Sequence, residues 1–581
     1  MHGIPIFLLL LGTLIEGEVV DSITGLPLSH VRVEGKMGMV YTDSLGRFRM
    51  DALPGETLYF YRTGYREKFI SVNLPFPSRI FLIPVIYKLP GVLVVERKKK
   101  EEGREIDEYF VKNLSTFSDP WRSLEVLPSV VSQYELSSLL SIRGGRIEET
   151  GYMIDGIPVA FPFHYFGLIG MLPPSEIRAI RVYSSYVPPG YGGYLSGVVD
   201  VKTVEKRKGL EASLSLLDGY LSWGMEEGRV GMRYLVVGEF MKRNLEGLYL
   251  YPTICDFFIR GRNFYLLYAR ESFEGEGYGV SMKGKVTQGF VYFNILPFRI
   301  YSSFMKDSHT LPDGEGEEFL LTPGCVLKWK PIHAGIEWVR HKREGFHPLY
   351  HTSLDAEYIH GFVAWMGDGD IEGWHMEGGG RMDFYPPGRV LSYSLRCSRK
   401  NFYFSSLLSS QYFPEENEIK TAVSKGMGFE WEKGFLEVFT RKISDGRFAW
   451  GVEGYFFTGF LVLSLSLWDT NDEKMRIPFV VNGFLRIPWR CYEFVLRGIV
   501  IGERVFPIPF GSDCIYPEIP VYARVDAGVR LCFSRFFAGL DIYNLTDKRS
   551  TVMYLWEFDA GKLYHVYSLP RLLYVRLGVK L

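Results

Sequence analysis

The sequence predicts a mainly β protein with a small N-terminal β-sandwich, a compact α+β domain and a C-terminal transmembrane antiparallel β-barrel. Three observations carry this prediction. After the first fifteen residues no run of eighteen apolar residues occurs, so the chain does not cross a membrane as helices. Glycine (62) is abundant together with 43 Phe, 37 Tyr and 11 Trp, as in sheets that close tightly and in barrels with aromatic girdles. From Gly209 onward, apolar and polar residues alternate with a period of two.

Composition narrows the function. Lys+Arg (66) and Asp+Glu (67) nearly cancel, which leaves no overall field to attract nucleic acid. With 47% hydrophobic and 23% charged residues, the 581-residue chain has enough apolar material for several domains and is not mostly disordered. The cysteines (Cys255, Cys325, Cys397, Cys491, Cys514, Cys532) include no CxxC, so neither a zinc site nor a dense disulfide framework is expected. Cys514 and Cys532 could pair, although isolated thiols fit the wide spacing better.

Ile4–Leu14 is too short to span a bilayer and has the length of a signal-peptide core, which makes 1–14 a signal peptide. The competing reading is a first buried strand. From 15 to 89, apolar runs are broken at Asp21–Gly25, Asp43–Gly46 and Pro54–Gly55, the spacing of a sandwich of roughly seven strands. The residue order here resembles the carboxypeptidase regulatory-like domain. Gly17–Val19–Asp21, Thr24–Gly25–Pro27–Leu28, Thr42–Asp43–Gly46–Phe48 and Gly64–Tyr65 stand where that family has G-x-V-x-D, T-G-x-P-L, T-D-x-x-G-x-F and G-Y. The resemblance implies a fold and says little about activity.

Residues 90–115 are expected to be a linker: a valine-rich patch (Val92, Val94, Val95), then a charge run from Glu96 to Arg104. It reads either as a last strand with a solvated tail or as an extended segment offered to a partner's sheet edge.

From 116 to 208, glycine, proline and tyrosine increase. Ser141–Leu168 reads as strand, glycine-rich turn, strand and an Asp155–Gly156 turn. SEIRAI reads as a short helix capped by Ser175 with Glu176 in its first turn, followed by strands at Arg181–Ser184 and Val198–Thr203. Four ordered motifs closely resemble the plug of TonB-dependent outer-membrane receptors: Arg143–Gly144–Gly145, Asp155–Gly156–Pro158, Glu176–Ile177–Ile180–Val182, and Tyr191–Gly192–Gly193 continuing to Gly197–Val198–Val201. Asp119–Val130 and Pro162–Phe163–His164 resemble a plug subgroup that also carries an N-terminal sandwich. Ser129 departs from it, at a position where that family more often has glycine.

The segment 209–581 alternates throughout. Leu573, Val575, Leu577 and Val579 oppose Tyr574, Arg576 and Lys580; Val525, Ala527 and Val529 oppose Arg524, Asp526 and Arg530; Leu463, Leu465 and Leu467 oppose Ser464 and Ser466. This is the dyad of a membrane barrel, lipid outside and water inside. Aromatics gather near strand ends at Tyr455–Phe457 and Phe533–Phe537. LDIYNLTDKRS and the closing stretch resemble the last strands of the same receptors, which usually end in an aromatic residue where this chain has Leu581. With that family's 22 strands, about 17 residues are available per strand and its share of loop, against ~9–11 needed to cross, so the loops must be short.

Few residues suggest chemistry. His333, His341, His347, His351 and His360 cluster in sequence, and His341–Glu344 is formally an HxxE. The stretch reads as a hairpin loop, a poor scaffold for catalytic zinc, so a solvated loop without metal is expected. Phe273–Gly279 (FEGEGYG) lacks the strand–turn–helix setting of a phosphate loop and reads as a turn. Arg143 is expected to pair with barrel-wall carboxylates while Gly144 and Gly145 permit a tight turn. No enzyme and no cofactor are expected.

The resemblance implies active uptake of an unidentified small extracellular ligand. In that picture the TonB energy-transducing complex, contacting Val92, Val94 and Val95, displaces the plug. It further implies a monomer in outer-membrane lipid with the sandwich in the periplasm and no nucleic-acid partner. The alternative is a structural or assembly protein of the outer membrane with the same architecture and no nutrient transport.

Overall fold

The computed structural model describes residues 13–83 and 103–581, apart from 23–24, 63–64, 74, 115–116, 118, 133–134, 136, 160, 165–166, 206, 237–247, 251–252, 278–279, 312–313, 330, 346–352, 473–475, 490, 506–507, 511–512, 516, 534 and 558–561. Most of the expected signal-peptide core, the Val92–Val95 segment, and Thr24 and Gly64 of the sandwich motifs lie outside the described residues. The chain divides into two compact units, Met1–Pro90 and Gly91–Leu581.

Among the described residues of the first unit, seven strands form two sheets. Thr13–Asp21 lies between Arg47–Ala52 and Arg79–Leu82; Arg32–Gly35, Gly38–Tyr41, Thr57–Tyr61 and Lys68–Ser71 make the other sheet. Alternation in RFRMDA turns Phe48, Met50 and Ala52 inward and Arg47, Arg49 and Asp51 outward. There they meet Val19, Val33, Leu58 and Phe60. The Tyr65 hydroxyl donates to Asp21 Oδ2 at 2.8 Å, so two of the sequence motifs close on each other.

The second unit is a closed antiparallel barrel of 22 strands around a folded inner domain. Leu248–Leu250 and Thr253–Gly261 both pair with Phe264–Gly277 and act as one wall strand. Closure comes from Gly209–Ser215 pairing with Leu572–Lys580. The expected strand count and alternation are both present: Leu463, Leu465 and Leu467 face outward while Ser464 and Ser466 are buried, and Leu573 and Leu577 face outward while Tyr574 is buried. At the rim opposite Gly209, called the far rim, several strands join through only two residues, as at 386–387, while 502–521 and 544–571 are long and carry small hairpins of their own.

Two turn assignments are corrected. Phe273–Gly277 belongs to the strand Phe264–Gly277, because Glu274 and Glu276 alternate with Phe273 and Gly275 and extend the ladder against Val280–Gly284. His341–Gly345 likewise ends the strand Ile332–Gly345.

The inner domain is built on a five-stranded sheet in the order Ile157–Pro158, Thr150–Ile154, Gly197–Thr203, Ile177–Tyr183, Arg104–Asp107. Arg104–Asp107 and the helix Glu108–Leu114 build part of the expected linker into this domain. The helix expected over SEIRAI is absent: one 3-10 turn, Pro174–Glu176, leads straight into the strand Ile177–Tyr183, and Ser175 makes no cap. Pairing on both sides outweighs the local capping signal here, and the β-branched Ile177, Ile180 and Val182 fit buried sheet positions.

Candidate functional site in the barrel lumen

The first plug motif ends the strand Leu140–Ile142 in a tight turn with Arg143 at φ +52° and Gly144 at φ +66°. Glycine serves at 144 because a Cβ there would stand 2.9 Å from Trp468 Nε1 in a left-handed backbone. The turn aims Arg143 at the wall, where Nη2 lies 2.7 Å from Glu437 Oε1 and 2.5 Å from Glu453 Oε1. Arg104 pairs with the same two glutamates. Glu437 and Glu453 are directly opposed on neighbouring strands, Gly434–Ile443 and Phe448–Phe457. Like charges so placed repel, and the two plug guanidiniums between them turn that repulsion into a four-charge cluster, all but Arg104 fully buried.

The second motif makes the two-residue turn between Thr150–Ile154 and Ile157–Pro158, with Asp155 at φ +53° and Gly156 at φ +75°. Asp155 is also an anchor: it accepts from Arg260 Nη1 at 2.7 Å, Tyr292 OH at 2.7 Å and Thr203 Oγ1 at 2.6 Å. Burial alone would raise its carboxyl, but Arg260 and these donors hold it below the usual range.

His164 is fully buried, with Nε2 2.9 Å from Asp256 Oδ1 and Nδ1 2.8 Å from Glu271 Oε2. Burial would depress the imidazole, but the two carboxylates outweigh it and push its pKa up to about 9, so it is an imidazolium at neutral pH. Glu176 of the third motif meets Arg229 at 2.8 Å, and Glu125 meets Arg497 at 2.5 Å. Ion pairs thus hold the plug to several sectors of the wall.

The remaining motif residues border a different environment. Pro158, Gly192 and Gly193 line a cavity of about 200 Å³ between plug and wall, walled by Tyr191, Tyr194, Tyr301, Tyr358, Tyr385 and Tyr412. Gly193 has φ +99°, and Gly197 opens the strand Gly197–Thr203. His333 and His360 also line this cavity, on wall strands and not in a solvated loop. His360 lies 2.9 Å from both Glu337 Oε1 and Asp383 Oδ1, and His341 lies 2.6 Å from Glu318 Oε1. The solvated-loop expectation fails because period-two alternation continues through this stretch, and neighbouring strands supply acceptors for inward imidazoles. His347 and His351 lie outside the described residues. Among the described residues no group of His, Cys, Asp or Glu converges as a metal site. Cys255, Cys325, Cys397 and Cys491 are unpaired, while the side chains of Cys514 and Cys532 lie outside the described residues.

Sequence reasoning missed the wall half of every anchor: Glu437, Glu453, Asp256, Glu271, Arg229, Arg260 and Arg497. The available signal was a charged residue at an inward position of an alternating strand, which needs a counter-charge inside the barrel.

No family model matches the sequence, and no curated protein matches it. Solved structures do. A mutant form of the ferric enterobactin receptor PfeA of Pseudomonas aeruginosa superposes with a TM-score of 0.58 at 12% identity, covering 84% of this chain and 100% of that one. The ferric-catecholate import receptor Fiu of E. coli K12 gives 0.59 at 11%, covering 85% and 97%. The siderophore receptor PirA of Acinetobacter baumannii gives 0.58 at 11%, covering 82% and 98%. At these identities the likeness is one of fold.

Proposed function

We propose that this protein is an outer-membrane receptor that takes up a small extracellular ligand by TonB-coupled rearrangement of the plug. The observation that carries the reading is a folded domain filling a 22-strand lumen and held to its wall by buried charge pairs. A barrel this wide conducts water and ions unless something fills it. A filler that only had to seal could be packed with apolar contacts. Ion pairs instead leave each partner able to exchange for water or another charge once a force separates them. The outward apolar face supports a bilayer setting for the barrel; the resemblances in the sequence support a reading in which the sandwich is periplasmic and TonB contacts Val92, Val94 and Val95. The fold is shared with proteins named as a ferric enterobactin receptor and a ferric-catecholate import receptor.

The two-residue connections among the far-rim loops favour the second reading, a structural or assembly protein with no nutrient to recognise, whereas the long 502–521 and 544–571 favour the first. One experiment separates the two. Cells carrying the full chain or a deletion of Val92–Val95 are compared for membrane fractionation, heat-modifiable gel mobility and energy-dependent retention of small molecules, identified by mass spectrometry after native purification. The receptor reading expects both proteins in the outer membrane and retention lost on deletion. Retention absent from both, with normal insertion, establishes the structural role instead.

A further inference from the structure

The plug is held unevenly. Around most of its circumference it meets the wall through buried ion pairs between 2.5 and 2.9 Å: Arg143 with Glu437 and Glu453, His164 with Asp256 and Glu271, Glu176 with Arg229, Asp155 with Arg260, Glu125 with Arg497. Along the strands from Ile332 to Phe413 the contact changes character. There the plug presents Pro188–Leu195, whose hydrogen bonds to Arg381 and Gln411 are long and involve neutral plug groups, while beside it Gln411 Nε2 donates to the Glu148 carbonyl at 2.6 Å. Arg381 Nη1 donates to the Pro189 and Gly190 carbonyls at 3.3 and 3.5 Å, and Gln411 Oε1 accepts from the Leu195 N–H at 3.3 Å. Arg381 and His360, which line the cavity on this stretch of wall, are already committed to Asp383 and Glu337, as are Arg343 to Glu415 and Arg396 to Glu430.

The tyrosine-lined cavity lies on this side, and its lining reaches from one end of the wall toward the other. Lys328 and His333 come from the near-rim ends of Gly314–Trp329 and Ile332–Gly345. Tyr385 and Tyr412 come from the far-rim ends of Trp374–Tyr385 and Phe402–Phe413. At the near-rim end, Lys328 Nζ points to the Gly156 carbonyl at 3.5 Å and Arg299 Nη1 donates to the Asp155 carbonyl at 2.6 Å. Among the described residues neither side chain pairs with a carboxylate, whereas Lys202 and Arg260 beside them are paired with Asp200 and Asp155. Lys328 therefore brings a cation without a carboxylate partner into the cavity lining, with Arg299 on the adjoining Asp155 carbonyl, while Glu337 of the same lining is taken by His360.

We propose that solutes cross this barrel along the tyrosine-lined cavity, that Pro188–Tyr194 is the part of the plug that yields first, and that Lys328 and Arg299 make the passage favour anions. The inference rests on the transport reading and adds to it a sector, a moving segment and a charge class. Separating neutral contacts costs less than separating buried ion pairs, so a force applied to the plug opens this side before the others. Gly190, Gly192 and Gly193 supply backbone freedom where the segment must refold, with Gly193 already left-handed. A cation in the lining lowers the entry barrier for an anion and raises it for a cation.

The test uses the purified full chain in planar bilayers, with potassium chloride as the probe and sub-denaturing urea to loosen the plug. One variant carries Gly190→Cys and His333→Cys, positions close enough that a Cβ on Gly190 would lie 2.5 Å from His333 Nδ1. A second carries Ser129→Cys and Ser466→Cys on the ion-paired side, where the Ser129 N–H donates to Ser466 Oγ at 2.6 Å. Both are bridged by a short, reducible bis-thiosulfonate, and heat-modifiable mobility confirms that each is a folded barrel. The expected result is loss of urea-induced conductance in the bridged Gly190–His333 variant, its recovery on reduction, and little change in the Ser129–Ser466 variant. In a salt gradient, Lys328→Gln should reduce anion selectivity and Lys328→Glu should reverse it. Equal blockage by both bridges, conductance persisting through the Gly190–His333 bridge, or no urea-induced conductance in the unbridged protein overturns the sector assignment. An unchanged reversal potential in both Lys328 variants overturns the charge class. Retention of a ligand by cells, tested separately above, stands or falls independently.

Discussion

The N-terminal sandwich and the barrel obey the same strand geometry and sort their side chains in opposite directions. In the sandwich, Leu58 and Phe60 are fully buried and the charged Arg47, Arg49 and Asp51 face water. In the barrel, Leu463, Leu465 and Leu467 are nearly half exposed while Arg233, Glu453 and Asp256 have no accessible surface. The alternation is identical and only the solvent differs. Where the outside is hydrocarbon, the apolar face needs no protein partner and the polar face needs a complete one. That partner is the plug.

The comparison can be broken most severely at its polar core. Glu453→Ala leaves Arg104 and Arg143 short of a counter-charge and should loosen the plug by about 3–5 kcal/mol, seen as a lower urea midpoint for proteolytic access to Arg143. A loss below about 1 kcal/mol would mean that water already carries these charges. In the sandwich, Leu58→Ala should cost about 2–5 kcal/mol through a cavity that neighbouring side chains cannot refill, measured by hydrogen-exchange protection across Thr57–Tyr61. On the outer wall, Leu465→Arg should cost about 2–4 kcal/mol in urea-titrated folding into vesicles, because a cation then meets lipid.

A pH titration gives a smaller and signed effect. The folded-state pKa of His164 lies above its ordinary value, so its contribution is complete below about pH 6.5 and is lost as pH rises through about 9. Plug release by urea should become easier across that window, and His164→Gln should remove the step. The smallest effect is expected from Leu465→Ala, under about 1 kcal/mol, because acyl chains refill the space that the same change at Leu58 leaves empty. Comparable losses at the two leucines would show that the outer face is packed by protein and not by lipid.

Much of the architecture was legible in the sequence because it depends on local periodicity. The alternation around Leu463–Leu467 identifies a strand and its two faces within a handful of residues, and Asp155–Gly156 identifies a turn. The failures share a cause. SEIRAI carries a good capping signal, yet two neighbouring strands claim Ile177–Tyr183. Phe273–Gly277 and His341–Gly345 look like turns by composition and are strands because a partner ladder continues past them. Arg104 sits at the end of a charge run and reads as solvated, while its glutamates lie more than 300 residues downstream.

By itself the sequence determined which residues lie on a common face, where the tight turns occur and that the large sheet must close in a membrane, since each follows from short-range spacing and the chemistry of the solvent. Only the tertiary structure decided which charge meets which. Glu437 opposes Glu453 through strand register, and Arg143 reaches both because the plug sits at one depth in the lumen. Among the described residues, the same placement leaves Lys328 and Arg299 without carboxylate partners, beside the sector where neutral groups hold the plug. Pairing between distant segments depends on register and depth, which no local pattern encodes, and those two quantities set where this plug is fastened and where it is free to move.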